Sequence, residues 1–282
     1  MRVRIAVADT PPMVLVFGAT DPSGGAGLHA DILTLSSMGC HPLSVVTALT
    51  VQDTFGVEDK LPIDAEWVAD QARCVLEDAP VSVFKAGLLG SVEAIAAIAE
   101  VVSDYPQVPF VLDPVLASGG GDELASDEMV AAMCELLIPQ VTVLTPNSHE
   151  ARHLAFDDAD ETEMPGLDEC AARLLEMGAE YVLVTGTHEN TAQVTNSLYA
   201  SGGLIRADSW QRLQSSFHGS GCTLAAAIAA TIANGLDVPD AVRDAQEYTW
   251  QTLNSAYRTG MGQLIPDRLF WARDGDQADG GE

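Results

Sequence analysis

Six short apolar runs recur along the chain, at residues 14–17, 44–50, 81–85, 110–113, 141–144 and 181–185. Each is too short for a helix that spans a domain, and each is followed by a longer stretch with polar turns or helical spacing. Candidate helices cover 27–38, 64–77, 92–103 and 167–177. Strands that alternate with helices are joined by crossover connections, which make neighbouring strands parallel. A parallel sheet is covered on both faces, so its strands read as continuous apolar runs rather than as alternating ones. This rhythm predicts an α/β protein of three layers, with a central, mostly parallel sheet flanked by helices. Residues 191–205, "TAQVTNSLYASGGLI", read differently, as a hairpin-like edge. Two more helices, at 222–234 and 238–255, are expected to close the domain.

The 282 residues can bury a full core, and the chain shows neither internal repeats nor a linker. We therefore expect one domain over 1–265, followed by an acidic, glycine-rich, flexible tail over 266–282. The net charge is −28 and argues against a general nucleic-acid or anionic-membrane surface. Eleven arginines accompany only two lysines, Lys60 and Lys85. A high-salt environment suits such a surface, because salt screens its self-repulsion. An anionic ligand gains nothing from this field at long range, so its site needs local donors, a cation, or both. The five cysteines show neither a close pair nor a CxxC motif, which fits a reducing compartment. No secretory signal is read at the N-terminus and no run reaches the length of a membrane span, so a cytoplasmic protein is expected.

Several chemistry-bearing residues fall at strand ends, which in an open α/β sheet is where ligands bind. "GATDPSGGAGLHAD" follows the first run, and contains neither the dinucleotide GxGxxG nor the Walker A pattern. Asp31 closes it as a candidate acceptor. Thr50 and Gln52 end the second run, and a glutamine that both donates and accepts suits the edge of a heterocycle. Lys85 ends the third run in a chain that has almost discarded lysine. Asp113, Asn147 and Glu150 follow the fourth and fifth runs, where their oxygens are placed to collect around Mg²⁺, directly or through waters. Asn147 is equally placed to cap the next helix, with Glu150 as its reciprocal partner, and the two readings are compatible. His149 and His153 have i,i+4 spacing, but neither an HExxH motif nor a cysteine partner supports zinc.

"FHGSGCTLAAAIAA" sets a glycine-rich turn directly before a run of small apolar residues. The free amides of Gly219, Ser220, Gly221 and Cys222 at such a helix start form a natural phosphate seat. Phosphoryl transfer depends mainly on orientation and charge stabilisation, which a seat of this kind supplies. At a helix N-terminus the pKa of Cys222 is expected to fall, leaving it able to orient or deprotonate a hydroxyl.

Together, "DPSGGAGLHAD", "TALTVQDT", "KAGLLGS", "VLDPV", "LTPNSHEA" and "HGSGCTLAAAIAA" resemble, in order and spacing, the hydroxymethylpyrimidine/phosphomethylpyrimidine kinases of thiamine biosynthesis, members of the ribokinase-like superfamily. The resemblance covers roughly residues 14–262. It implies a ribokinase-like fold, ATP and Mg²⁺ as cofactors, a homodimer, and two successive phosphorylations of a pyrimidine. It also implies that Asp31 and Gln52, with Thr50 and Ala19 beside them, hold the aminopyrimidine edge. The amides of Gly219 to Cys222 would then form the anion hole, and Cys222 stands where most ribokinase relatives carry an aspartate base. Asn147 and Glu150 match the family's NxxE magnesium element, with Asp113 nearby. Two positions depart from the pattern. Thr185, before Gly186, stands where family members often carry a lysine toward the ATP phosphates, a contact that Lys85, an arginine or the metal would have to replace. Ala19 stands where glycine is common. A pyridoxal-type kinase and a non-catalytic pyrimidine-binding protein are the competing readings, and a sugar kinase fits least.

Overall fold

The computed structural model describes residues 10–156 and 165–273. The chain runs from β1 (Met13–Ala19) through α1 (Gly27–Ser37) to β2 (His41–Gln52) and β3 (Val57–Pro62). It continues through α2 (Ala65–Asp78), β4 (Val81–Ala86), α3 (Val92–Ser103), β5 (Phe110–Leu112) and α4 (Asp127–Ala132). Next come β6 (Val143–Leu144), α5 (Ser148–Ala155), α6 (Leu167–Glu176) and β7 (Tyr181–Val184). A hairpin of β8 (Gln193–Ala200) and β9 (Gly203–Gln211) leads to α7 (Ser220–Ala233), α8 (Val238–Asn254) and the single turn α9 (Phe270–Arg273).

Among the described residues one nine-stranded sheet has the order β3-β2-β1-β4-β5-β6-β7-β8-β9. The six strands from β2 to β7 in that order pair in parallel, as expected. β3, β8 and β9 add antiparallel edges. The order reverses between β1 and β4, because the chain leaves β1 toward β2 and returns on its other side.

The strand period of two sends alternate residues to opposite faces. Leu15, Phe17, Phe84, Phe110 and Leu112 join a core with α2, α3, α4, α5 and α6. Val14, Val16, Val83 and Val111 join a second core with α1, α7 and α8. The same alternation puts Lys85 on the face of Val83, and Asp113, just past β5, on the face of Val111. Both therefore meet the α1/α7 layer. α7 is apolar all round and buried from Thr223 to Thr231, as a helix enclosed on every side must be.

The structure differs from the expectations in a few places. Expected strand 141–144 shrinks to two residues, because a 3-10 turn with Pro139 occupies Ile138–Gln140. β3 and α4 had not been anticipated. The boundary expected at 265 cuts through packed structure: Asp267 and Arg268 are 5% and 2% exposed. The folded chain therefore runs on to Arg273, and the rest of the expected tail lies outside the described residues. Among these residues no helix is long and apolar enough to cross a membrane.

Candidate active site

The parallel strands end on one rim, and at the point of reversal their loops part to leave a crevice. A cleft of about 480 Å³ opens there. Its walls include Gly18 and Ala19 at the end of β1 and Thr20 just after it, Asp113 after β5, Asn147 after β6 and Thr185 after β7, and Gly219 to Cys222 form one side. All the expected site residues except Gly186, which stands beside the cleft-lining Thr185 and Thr187, thus line one cleft from segments spread over more than two hundred positions.

The start of α7 is built for exposed amides. Gly219 has φ +81°, and a Cβ there would lie 1.9 Å from the Gly25 carbonyl oxygen, so both angle and space demand glycine. A Cβ on Gly25 would in turn fall 2.2 Å from the ring of His218. The His218 Nε2 atom meets Asp21 Oδ2 at 2.9 Å. Asp21 also accepts from the amides of Ser23 at 2.8 Å and Ala26 at 2.6 Å. Burial alone would raise its pKa, but the bonds from His218, Ser23 and Ala26 outweigh it and hold the carboxyl below its usual value. The β1–α1 loop and the α7 start are therefore one rigid unit.

Beneath this unit lies a charged cluster. Lys85 Nζ donates to both oxygens of Asp31, at 3.0 and 3.1 Å, and both residues are fully buried. Burial works against the ammonium, but Asp31 more than offsets it and keeps Lys85 charged. Both residues also line the cleft, and each meets it as half of this ion pair rather than as a free acceptor or a free cation. Cys222 adjoins the same cluster. Its thiol is pushed up to about 12 by burial, which the Lys85 charge only partly opposes, while Asp113 and Asp31 add to the rise. The fall expected from the helix N-terminus is overturned, and Cys222 is a thiol at neutral pH.

Asp113 and Glu150 form an acidic pair. Burial pushes Asp113 up to about 6 against the pull of Lys85. Glu150 rises to about 8, through burial and then the charge of Asp113. Asp113 Oδ2 is buried without a hydrogen-bond partner. Asn147 and Glu150 form the anticipated capping box: Asn147 Oδ1 accepts from the amides of His149 and Glu150, and Glu150 Oε2 accepts from Asn147 N. Among the described residues no group of three His, Cys, Asp or Glu side chains could hold a metal alone. Two neighbouring carboxyls, one with an orphaned oxygen, still fit Mg²⁺, which keeps waters and takes phosphate oxygens as its remaining ligands.

On the far side, the Thr185 amide donates to the Pro146 carbonyl and the Gly186 amide to Asn196 Oδ1 at 3.1 Å. Asn196 Nδ2 and Trp210 Nε1 both donate to Gln246 Oε1. Arg212 donates to the carbonyls of Thr187, Thr191 and Glu189, at 2.8, 2.9 and 2.8 Å, and so shapes the loop after β7. On the near side, Thr50 Oγ1 donates to the Thr20 carbonyl at 2.7 Å, and Gln52 Nε2 approaches it at 3.4 Å. Sequence reasoning had assigned no role to Asp21, His218, Asn196, Arg212, Gln246 or Arg268. The first two stand inside quoted motifs, and a buried partner for each was the missing signal.

Residues 21–267 match the family model for phosphomethylpyrimidine kinase. The chain belongs to the phosphomethylpyrimidine kinase family. It is 37% identical over 263 residues to the hydroxymethylpyrimidine/phosphomethylpyrimidine kinase of Mycobacterium tuberculosis, covering 93% of this chain and 95% of that protein. A second family relative, the thiamine biosynthesis bifunctional protein ThiED of Geobacter sulfurreducens, is 35% identical over 261 residues, or 93% of this chain and 53% of that protein. Among solved structures, a phosphomethylpyrimidine kinase from Clostridium difficile superposes with TM-score 0.73 at 28% identity, over 86% of this chain and 99% of that one. The ADP complex of Staphylococcus aureus pyridoxal kinase reaches TM-score 0.84 at 26% identity, over 94% and 96%. Phosphomethylpyrimidine kinases thus share this three-layer, ribokinase-like architecture with vitamin B6 kinases.

Proposed function

We propose that the protein transfers the γ-phosphoryl group of ATP to the hydroxymethyl oxygen of 4-amino-5-hydroxymethyl-2-methylpyrimidine, and a second phosphoryl group to the resulting monophosphate, in thiamine biosynthesis. The observation that carries this reading is the seat of unpaired amides at the α7 start, facing the same cleft as Asp113 and Glu150, in a chain matched to this family from residue 21 to 267.

In this reading Gly219 to Cys222 receive the charge that develops on the transferring group. Such preorganised donors need no rearrangement at the moment of reaction. A loose transition state makes little demand on a base, so a protonated Cys222 suffices to orient the attacking oxygen. Gln52, with Ala19 and Thr50, faces the pyrimidine, while Asp31 acts from below by fixing Lys85. Asn147, Thr185 and Gly186 border the nucleotide. Asp113 and Glu150 would hold Mg²⁺, which when bound neutralises phosphate charge.

We also infer a cytoplasmic homodimer. No disulfide joins any of the five cysteines, all of which lie among the described residues, as a reducing compartment leaves them. Leu49, Val51 and Leu61 expose an apolar face on β2 and β3, which a second copy would cover; light scattering tests it.

The pyridoxal reading draws support from the high TM-score to a pyridoxal kinase. One assay separates the readings: ADP release by the purified full chain with Mg²⁺-ATP, at low and molar KCl, with hydroxymethylpyrimidine, its monophosphate or pyridoxal offered singly. ADP and phosphorylated product from both pyrimidines establish the two-step kinase. ADP from pyridoxal alone moves the assignment to vitamin B6. Pyrimidine binding without ADP from any substrate makes it a binding protein.

A further inference from the structure

Arg268 is a buried cation without a carboxylate of its own. It follows α8 and is 2% exposed, yet among the described residues no ion pair includes it. Its acceptors are neutral. Nε donates to Thr223 Oγ1 at 3.1 Å, and Nη2 donates to the Gly25 carbonyl at 2.6 Å and the Gly219 carbonyl at 3.5 Å. Nη1 is buried with no partner. Burying a guanidinium is unfavourable unless its charge and donors are matched, and in a chain with 13 basic residues against 41 acidic ones a carboxylate would be easy to supply.

What the guanidinium touches is the framework of the anion seat. The Gly219 carbonyl belongs to the peptide whose N–H is that of Ser220, the first residue of α7. Thr223 Oγ1 also donates to this carbonyl, at 2.7 Å, so Arg268 acts on it both directly and through the hydroxyl. The Gly25 carbonyl belongs to the peptide whose N–H, on Ala26, bonds to Asp21. Drawing electron density toward the carbonyl side of a peptide makes its N–H a stronger donor, because linked hydrogen bonds polarise one another. A single cation thus sharpens the first amide of the seat and tightens the loop that holds it.

The backbone of Arg268 is itself fixed. Its carbonyl accepts from Tyr248 Oη at 2.8 Å, and the Asp267 amide donates to the Thr252 carbonyl at 2.9 Å, both on α8. Asp31 acts on it through space, but both oxygens of Asp31 are bound to Lys85. Among the described residues no carboxylate is therefore paired with Arg268.

We propose that Arg268 is a positioning residue of the phosphoryl-transfer site, orienting and polarising the α7 amides and supplying from beneath positive charge that Thr185 does not supply from the front. The inference rests on the kinase reading. It assigns a buried residue of the segment after α8 to the site, beneath a cleft that Gln263 of the same segment lines.

The test uses R268M, R268K and R268A in the full chain, with kcat and both KM values, thermal melts, and addition of methylguanidinium or, as a control, methylammonium. R268M should lose about 100-fold in kcat, the scale of one oxyanion donor. The pyrimidine KM should change by less than about threefold, because the lost interaction belongs to the transition state. R268K should recover part of the rate, and methylguanidinium but not methylammonium should restore part of the R268A rate. An R268M that folds and keeps the wild-type kcat overturns the proposal, as does a loss confined to KM or to stability without rescue. Millimolar inorganic phosphate gives a readout independent of turnover: it should raise the melting temperature of wild type more than that of R268M. If wild type releases no ADP, the kinase reading fails. The phosphate shift then still decides Arg268, and equal shifts in both proteins overturn it.

Discussion

His218 and Asp21, 197 residues apart in the chain, meet at 2.9 Å and lock the loop after β1 to the start of α7. Asp21 also closes its own loop through the amides of Ser23 and Ala26. D21N should therefore lose about 1.5–3 kcal/mol at pH 7, the range for hydrogen bonds to a charged group. Because the folded pKa is depressed, this stability is present above the unfolded value and fades as pH falls through the folded one. Urea unfolding should show the gap between wild type and D21N closing below about pH 4. A gap independent of pH would mean that the charge of Asp21 contributes nothing.

The Lys85–Asp31 pair makes a different forecast. Removing one member strands the other in a dry interior, so K85M and D31N should each destabilise by about 3–5 kcal/mol. The double variant should recover much of that loss, since neither charge is then left alone. Strictly additive effects in a double-mutant cycle would show that the two side chains are not energetically coupled.

Cys222 should behave as an inert thiol. With its pKa near 12, alkylation at neutral pH should mark exposed Cys74 first. C222S keeps the helix amides and should retain kcat within about tenfold of wild type. A far larger loss in a folded C222S would restore the thiolate-base role that the burial of Cys222 removes.

Asp113 and Glu150 carry raised values of about 6 and about 8. Both groups keep protons in the folded chain that the unfolded chain has released, so their contribution to stability falls as pH rises from about 4 to about 8. Mg²⁺ must displace those protons. Its effect on the melting temperature should thus be larger near pH 8 than near pH 6. An equal effect at both would place the cation elsewhere.

The sequence disclosed what depends on neighbours in the chain. Apolar runs marked the central strands, and the spacing of Asn147 and Glu150 marked their capping box. β3 escaped because "VEDKLP" is an edge strand, polar and ending in proline, and so carries little of the pattern that burial imposes. Lys85 stood out as a rare lysine, yet its partner lies 54 residues away and no local rule names it. For Cys222 the local rule misled, because burial and the carboxylates of Asp113 and Asp31, both distant in the chain, outweigh a helix terminus. Arg268 gave no local signal at all.

The six consecutive residues Ala225 to Ala230 in α7 are fully buried, and all but Ile228 are alanine. Alanine has no rotamers to lose, so enclosing this part of the helix costs almost no side-chain entropy. Nor can its flanks repack into alternative arrangements, as longer side chains can. The amides at its tip inherit that lack of freedom. Variation in what this cleft accepts must then come from its rim, around Gln52 and the loop after β7, while the end that receives phosphate keeps a single geometry.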